Sequence, residues 1–118
     1  MTKKILAARS ARRSAGDFLD STTLNTLAAL ADRTRVQMLL LLGEKGRLCV
    51  GDIAANFRIS RPAISHHLKV LKAVGVLQSE KVGQEVYYWV DCRNLVTMLR
   101  GLADTLEASC PLPQGEDE

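Results

Sequence analysis

Hydroxyl, imidazole and ammonium groups recur along one side of residues 60–75, a stretch that has the pattern of a short helix. At about 100° of rotation per residue, its side chains divide into two faces. The apolar face holds Ile64, Leu68 and Leu71. The opposite face holds Pro62, Ser65, His66 and Lys69. Such polar and basic groups can hydrogen-bond to base edges and pair with phosphates, so this face could read nucleic acid.

The charge around this stretch has a single sign. No Asp or Glu occurs between positions 54 and 79, whereas four cations do: Arg58, Arg61, Lys69 and Lys72. This surface should attract a polyanion. An amphipathic helix with basic outer residues is often only a solvated face, so the neighbouring elements must decide between the two interpretations.

Those neighbours form a recognisable pattern. Ser60 suits a helix N-cap, Pro62 is tolerated in the first turn, and Gly75 suits the left-handed position just after the helix. Upstream, residues 51–57 have the apolar spacing of another short helix, which predicts a helix-turn-helix. Downstream, a strand-like run, a turn at Gly83 and a second run over 86–90 predict a β-hairpin wing.

Residues 52–77, followed by Val86, Tyr87 and Tyr88, resemble the ArsR/SmtB family of bacterial winged-helix repressors. Members of that family carry a similar S-x-x-x-x-S-x-H-L-K-x-L core, then a glycine and a Tyr-Tyr strand. The resemblance reaches upstream to residues 30–35 and covers about positions 22–106. It implies a mainly α protein with a small β-hairpin: a winged helix-turn-helix of five helices plus wing. It also implies a ligand-responsive DNA-binding transcriptional repressor.

The remaining helices follow from apolar spacing and caps. A first helix is expected over Ser21–Ala31, with a buried side made of Leu24, Leu27, Ala28 and Leu30. Asp32 should cap a second helix, Arg33–Leu42, which Gly43 should end. Its run from Met38 to Leu42 is expected to be core. Residues 48–50 are expected to add a short strand to the wing.

Asp91 should cap the last helix, about Cys92–Ala108, in which apolar residues are spaced 4, 3 and 4 apart. These residues are Leu95, Leu99, Leu102 and Leu106. Such a seam is typical of a helix that meets another helix. The resemblance implies a homodimer formed through the first and last helices, and each subunit would offer one recognition helix to a roughly palindromic operator.

The expected DNA contacts divide by chemistry. Ser65 and His66 are predicted to contact base edges, and Arg61 and Lys69 to hold phosphates or a guanine edge. Three further residues complete the predicted set: Ser60, Pro62 and, on the wing, Lys81. The wing departs from the family pattern at Gln84, where relatives often carry Arg, so weaker wing binding is expected.

The chain has three cysteines, Cys49, Cys92 and Cys110, and only two histidines, both in the recognition helix. A histidine-rich zinc site is therefore not expected. Among relatives, arsenic and cadmium sensors carry C-V-C-D-L, and here only Cys49 of the two thiols is present, because Gly51 replaces the other. Zinc sensors use ligands on the last helix. Asp91 and Glu107 fit two of those positions, but Arg93 replaces a histidine.

Cys92 and Cys110 bracket the last helix, 18 positions or about 27 Å apart, so they cannot share an ion within one subunit. Antiparallel pairing of two such helices would set Cys92 beside the partner subunit's Cys110. Two thiolates would satisfy a monosubstituted trivalent arsenical such as methylarsenite. By this geometry the chain resembles the organoarsenical-responsive branch of the ArsR repressors. Cys49 is either a third ligand or a small buried hydrophobe.

Other functions remain open at this point. The same thiols could form a redox switch or bind another soft metal. A winged-helix protein-interaction module would use the fold without DNA. An enzyme is not expected, since the chain has no phosphate-binding glycine loop and no catalytic or metal-binding spacing such as HExxH or CxxC.

The chain of 118 residues should fold as one small domain over 21–110. Residues 1–20 are expected to form a flexible basic arm, and residues 111–118 a disordered acidic tail. No apolar run is long enough for a membrane span, so a soluble cytoplasmic protein is expected, with no permanently bound cofactor.

Overall fold

The structure, a computed structural model, describes residues 21–110. The predicted N-terminal arm and acidic tail lie outside these residues. The described elements follow in chain order: α1 (Ser21–Leu30), α2 (Arg33–Lys45), β1 (Leu48–Cys49), α3 (Val50–Ala54), α4 (Arg61–Ala73), β2 (Leu77–Val82), β3 (Glu85–Val90) and α5 (Cys92–Ser109). The predicted winged helix-turn-helix of five helices and a wing is confirmed for this part of the chain.

The wing is an antiparallel sheet of three strands in the order β1-β3-β2. Leu77 lies opposite Val90 and Leu48 lies opposite Tyr88, which is 7% exposed. Gly83, with φ of 64°, provides the predicted turn between β2 and β3. The short strand expected over 48–50 ends at Cys49, because Val50 already begins α3. That helix ends at Ala54, earlier than the predicted Phe57.

The end of α2 differs from the prediction. Asp32 caps its start as expected, with the side chain accepting a hydrogen bond from the backbone N–H of Arg35 at 3.0 Å. The helix does not stop at Gly43 but continues to Lys45. Gly46 takes the positive φ of 85° and donates to the Leu42 carbonyl at 2.7 Å. A glycine within a helix costs only about 1 kcal/mol, so Gly43 alone does not end one.

The predicted buried side of α1 is wrong at Leu24 and Ala28. Leu24 is 48% exposed and Ala28 is exposed, while Leu27 and Leu30 are half-buried. The side turned to the domain instead holds Thr23, Thr26 and Ala29. Thr26 donates its hydroxyl to the Thr22 carbonyl at 3.0 Å, so its burial leaves no unsatisfied hydroxyl. Leu24 therefore lies on the outer surface of α1, whereas Leu30 packs against the core.

The core lies where α2, α3, α4 and the inner face of the sheet meet. Its fully buried side chains are Met38, Leu42, Ile53, Ile64, Leu68, Leu71, Val76 and Leu77. The core predicted within α2 is confirmed at Met38, Leu39 and Leu42, but Leu40 is 69% exposed because it faces away from these residues. The buried set anchors the recognition helix α4 by one complete face.

The last helix is attached to this domain mainly at its start. Asp91 caps it as predicted, accepting from the backbone N–H of Asn94 at 3.1 Å. Leu95 packs against the core, yet α5 has no residue that is fully buried. Two leucines of the predicted seam, Leu99 and Leu106, are 40% and 58% exposed. None of the helices described between residues 21 and 110 has the length and apolarity to cross a membrane.

Candidate nucleic-acid interface and thiol sites

The local sequence fixes how α4 presents its polar face. Ser60 caps the helix by accepting from the backbone N–H of Ala63 at 3.2 Å, and Pro62 lies in the first turn. Three residues on the inner face, Ile64, Leu68 and Leu71, have no exposed surface at all. Because one face is held in the core, the opposite face must point outward.

The predicted DNA-contacting residues lie largely on the surface. Six are exposed: Ser60, Arg61, Pro62, His66, Lys69 and Lys81. Ser65 is half-buried. The first five of the exposed residues and Ser65 belong to the N-cap and first nine residues of α4, whereas Lys81 lies in β2 of the wing. The structure therefore places the predicted set on two neighbouring elements rather than in one cluster.

His67 serves a different purpose from its neighbour His66. Its Nδ1 lies 3.2 Å from Nη1 of Arg35, whose Nε donates to the Ala29 carbonyl at 2.7 Å. A guanidinium only donates, so Nδ1 of His67 is the acceptor in this contact. Arg35 thus joins the end of α1 and the start of α2 to the recognition helix.

Two side chains brace the wing, Arg47 and Lys72, and sequence analysis identified neither contact set. Arg47 forms an ion pair with Glu80 of β2, and its guanidinium carbon lies 4.5 Å from the ring centre of Trp89. Lys72 of α4 donates to the Ser79 hydroxyl at 2.6 Å. The alternation around buried Tyr88 could have indicated that Trp89 points outward, but the sequence holds no signal that pairs it with Arg47.

A third set of contacts joins the start of α5 to the segment that follows α4. The Asp91 N–H donates to the Val76 carbonyl at 2.9 Å, and the Asn94 side-chain amide donates to the Gly75 carbonyl at 2.7 Å. The Gln78 side chain in turn donates to the Asp91 carboxylate at 3.2 Å. Asp91 therefore caps a helix and accepts from the wing.

The three thiols are separate within one chain. Cys92 and Cys110 are exposed at opposite ends of the continuous helix α5, and Cys49 is half-buried in β1 opposite Tyr87. Over residues 21–110, no three His, Cys, Asp or Glu side chains gather into a group that could hold a metal ion. Any site using both helix-end thiols must therefore draw on more than one chain.

Comparison with known proteins identifies the family. The model of the family described as "Bacterial regulatory protein, arsR family" matches residues 32–79, from the cap of α2 into β2. The transcriptional repressor SdpR of Bacillus subtilis is 45% identical over 64 residues, which cover 54% of this chain and 70% of SdpR. The chain belongs to the ArsR family of bacterial regulatory proteins. The predicted family and the prediction of a regulator rather than an enzyme are confirmed.

A second relative is named for arsenic resistance. The arsenic resistance transcriptional regulator ArsR1 of Pseudomonas putida is 40% identical over 83 residues, which cover 64% of this chain. The match spans 61% of ArsR1, less than two thirds of its length.

Two solved structures share the ArsR-family fold. A crystal structure described as a possible transcriptional regulator for arsenical resistance superposes with a TM-score of 0.63 at 37% identity, covering 70% of this chain and 84% of that one. A domain from Mycobacterium bovis, described as a homodimeric winged helix-turn-helix DNA-binding domain, gives a TM-score of 0.60 at 28% identity. It covers 73% of this chain and 82% of the M. bovis chain.

Proposed function

We propose that this ArsR-family chain is a homodimeric transcriptional repressor that binds double-stranded operator DNA and leaves it when a trivalent arsenical binds cysteine thiols. The observation that carries the DNA-binding part is the division of α4 into two faces. Its inner face is wholly buried, and its outer face is exposed, basic and free of acidic residues. A repressor of this kind acts where bacterial DNA lies, in the cytoplasm.

The exposed face of α4 offers two kinds of contact. Ser65 and His66 have the hydrogen-bonding groups to read base edges in the major groove. The cations Arg61 and Lys69 are suited to phosphates, which fix the position of the helix without carrying sequence information. Ser60 and Pro62 bring the first turn of the helix close to the DNA backbone. Lys81 provides one cation on the wing.

A second copy of the chain is the proposed cover for α5. Leu99 and Leu106 are exposed, and Leu24 on α1 is also nearly half exposed. A helix with no buried residue gains little stability from its own domain. The homodimeric M. bovis relative supports a dimer here. The first and last helices both have exposed apolar surface that a partner could cover.

The proposed inducer binds across this dimer. Antiparallel α5 helices would bring Cys92 near the partner subunit's Cys110, forming two equivalent thiol pairs. Trivalent arsenic prefers sulfur ligands, and two thiols suit an arsenical with one carbon substituent. The arsenic-related name of the P. putida relative supports this chemistry. Cys49, half-buried on another element, is a possible third ligand only if β1 approaches the pair.

A thiol redox switch is the second candidate, favoured by the exposure of Cys92 and Cys110. Two thiolates in one dimer could be oxidised to an intersubunit disulfide, with the electron pair passing to an oxidant such as diamide. Another soft metal ion would use the same thiols. In each case the oxidation or the bound ion must favour a dimer geometry that no longer fits the operator.

The test is a fluorescence-anisotropy titration of the reduced protein on DNA from its own promoter, with methylarsenite, arsenite, cadmium or diamide added. Release by methylarsenite that is lost in both Cys92→Ser and Cys110→Ser but kept in the matched control Cys49→Ser supports the proposed pair. If arsenite releases the DNA and this release is lost in all three variants, the result indicates a three-thiol arsenite site. Release by diamide alone supports the redox switch.

Salt dependence tests the DNA-binding part separately. Affinity for duplex DNA should fall steeply as salt rises, because binding releases counterions from the phosphates. Absence of salt-sensitive binding to any duplex would favour a winged-helix protein-interaction module instead.

A further inference from the structure

We propose that Asn94 positions the recognition helix relative to α5 and thereby sets the half-site spacing that the dimer accepts. The inference rests on the proposed function, because it requires two recognition helices linked through paired α5 helices. Its starting observation is the 2.7 Å hydrogen bond from the Asn94 amide to the carbonyl of Gly75. Gly75 lies two residues after the end of α4.

The two residues fit each other closely. Gly75 has φ of 87°, a conformation that L side chains rarely adopt. A Cβ atom at this position would also lie 2.9 Å from Nδ2 of Asn94, inside normal contact distance. The backbone conformation therefore favours glycine, and any side chain here would have to displace the Asn94 amide. The hydrogen bond ties the segment just after α4 to the first turn of α5.

This first turn is where α5 meets its own domain. Three hydrogen bonds lie there: Asp91 to Val76, Gln78 to Asp91, and Asn94 to Gly75. Beyond Leu95, which packs against the core, exposed and half-buried residues continue to Ser109. The direction of the long remainder of α5 is consequently set at its start.

A small change at this junction is amplified along α5. Helix α5 extends for 18 residues, about 27 Å, so a small rotation at its first turn displaces its far end by several ångströms. In a dimer joined through α5, the same rotation changes the separation of the two recognition helices. Asn94 is the residue of this junction whose side chain contacts the segment just after α4.

A solely structural role for Asn94 makes a different prediction. The side chain is exposed, so loss of its hydrogen bond should leave the buried core and the folded domain intact. If the contact only adds stability, its removal should weaken binding equally on every duplex. If it positions α4, its removal should change the preference among duplexes of different half-site spacing.

The experiment uses the full chain and a duplex selected from random sequence by the wild-type protein. Half-site separation is then increased and decreased by one base pair, and a single half-site duplex is included. Wild type should prefer one spacing, near one turn of DNA or about 10 base pairs between centres. Asn94→Ala should lose about two- to tenfold affinity at that spacing, as expected for one lost hydrogen bond, and little on the single half-site.

Two further variants keep the result interpretable. Asn94→Asp has nearly the same shape, lacks the amide donor and suits the first turn of a helix, so it should fold and share the flattened spacing preference. Asn56→Ala is the matched control, since it removes a side chain to backbone hydrogen bond of 2.9 Å that stays within residues 52–56. It should keep the wild-type spacing preference.

Wild-type preference retained in both folded Asn94 variants would overturn the inference and leave the proposed repressor intact. Failure of the proposed function would be visible in the wild type itself, as a monomer in sedimentation or as no preferred spacing. Sedimentation of the variants as dimers, together with a flattened spacing preference, would establish Asn94 as the positioning residue.

Discussion

The guanidinium of Arg47 lies over the indole ring of Trp89, with 4.5 Å between the guanidinium carbon and the ring centre. The same side chain forms an ion pair with Glu80, so one residue from the turn before β1 holds both long strands of the wing. Trp89 is the one tryptophan of the 118-residue sequence. The fluorescence of the protein therefore reports on this contact.

Arg47→Ala should expose Trp89 and shift its emission to longer wavelength in the folded state. We expect a loss of about 0.5–2 kcal/mol in the free energy of unfolding, the combined range of an exposed cation–π contact and a surface ion pair. Emission spectra and urea unfolding measure the two effects. Arg33→Ala, at an exposed arginine of α2, is the control, and equal spectra for both variants would contradict the predicted brace.

His66→Ala and Lys69→Ala should weaken DNA binding in different ways. Loss of a base contact at His66 should cost about 1–3 kcal/mol on the selected duplex and little on random DNA. Loss of a phosphate contact at Lys69 should weaken binding to both the selected duplex and random DNA. It should also lower the slope of log affinity against log salt concentration by about one. Titrations at several salt concentrations separate the patterns, with Lys45→Ala at the end of α2 as the control. Identical patterns in the two variants would count against the assigned contacts.

Leu106→Lys should produce a folded monomer. Leu106 is 58% exposed in the single chain, so a charge there leaves the core untouched but is costly in an apolar dimer seam. Sedimentation velocity measures the change. Val82→Lys, at a wing residue that is 51% exposed, should remain dimeric. A dimeric Leu106→Lys protein would exclude this part of α5 from the interface.

Stability should decline in acid partly through Asp32. The backbone N–H of Arg35 lowers the pKa of this carboxylate below its ordinary value of 3.8, with the Arg35 charge assisting. The unfolded chain then binds the proton more tightly than the folded chain, so this stabilisation is complete above the ordinary pKa and disappears as pH falls through the lowered one. Asp32→Asn, which can still cap the helix, should show a shallower loss of stability between about pH 5 and pH 2. Equal acid profiles by urea unfolding would contradict this assignment.

The fold was largely predictable because its signals are local. The caps Asp32, Ser60 and Asp91, the turn at Gly83 and the apolar face of α4 each act within a few residues, and the structure has all of them. The end of α2 was not predictable, because Gly43 and Gly46 are equally plausible stops in sequence. Only the backbone shows which one takes the positive φ.

The predicted buried side of α1 failed at Leu24 and Ala28 for a different reason. Apolar spacing shows that a helix face will be covered but not by which chain, and Leu24 is 48% exposed in the part of the chain that the structure describes. Contacts between distant parts of the chain were likewise invisible: Arg47 with Trp89, and Asn94 with Gly75. Such pairs depend on tertiary approach, which neither composition nor periodicity encodes.

Among the residues that the structure describes, none in α5 is fully buried, so the order of this helix should depend on how much of the protein a cell contains. A helix covered by a second chain is stabilised by mass action, so its ordered fraction rises with protomer concentration. The melting temperature of the proposed dimer should therefore increase on concentrating the sample. The abundance of the chain would then set operator occupancy alongside its inducer.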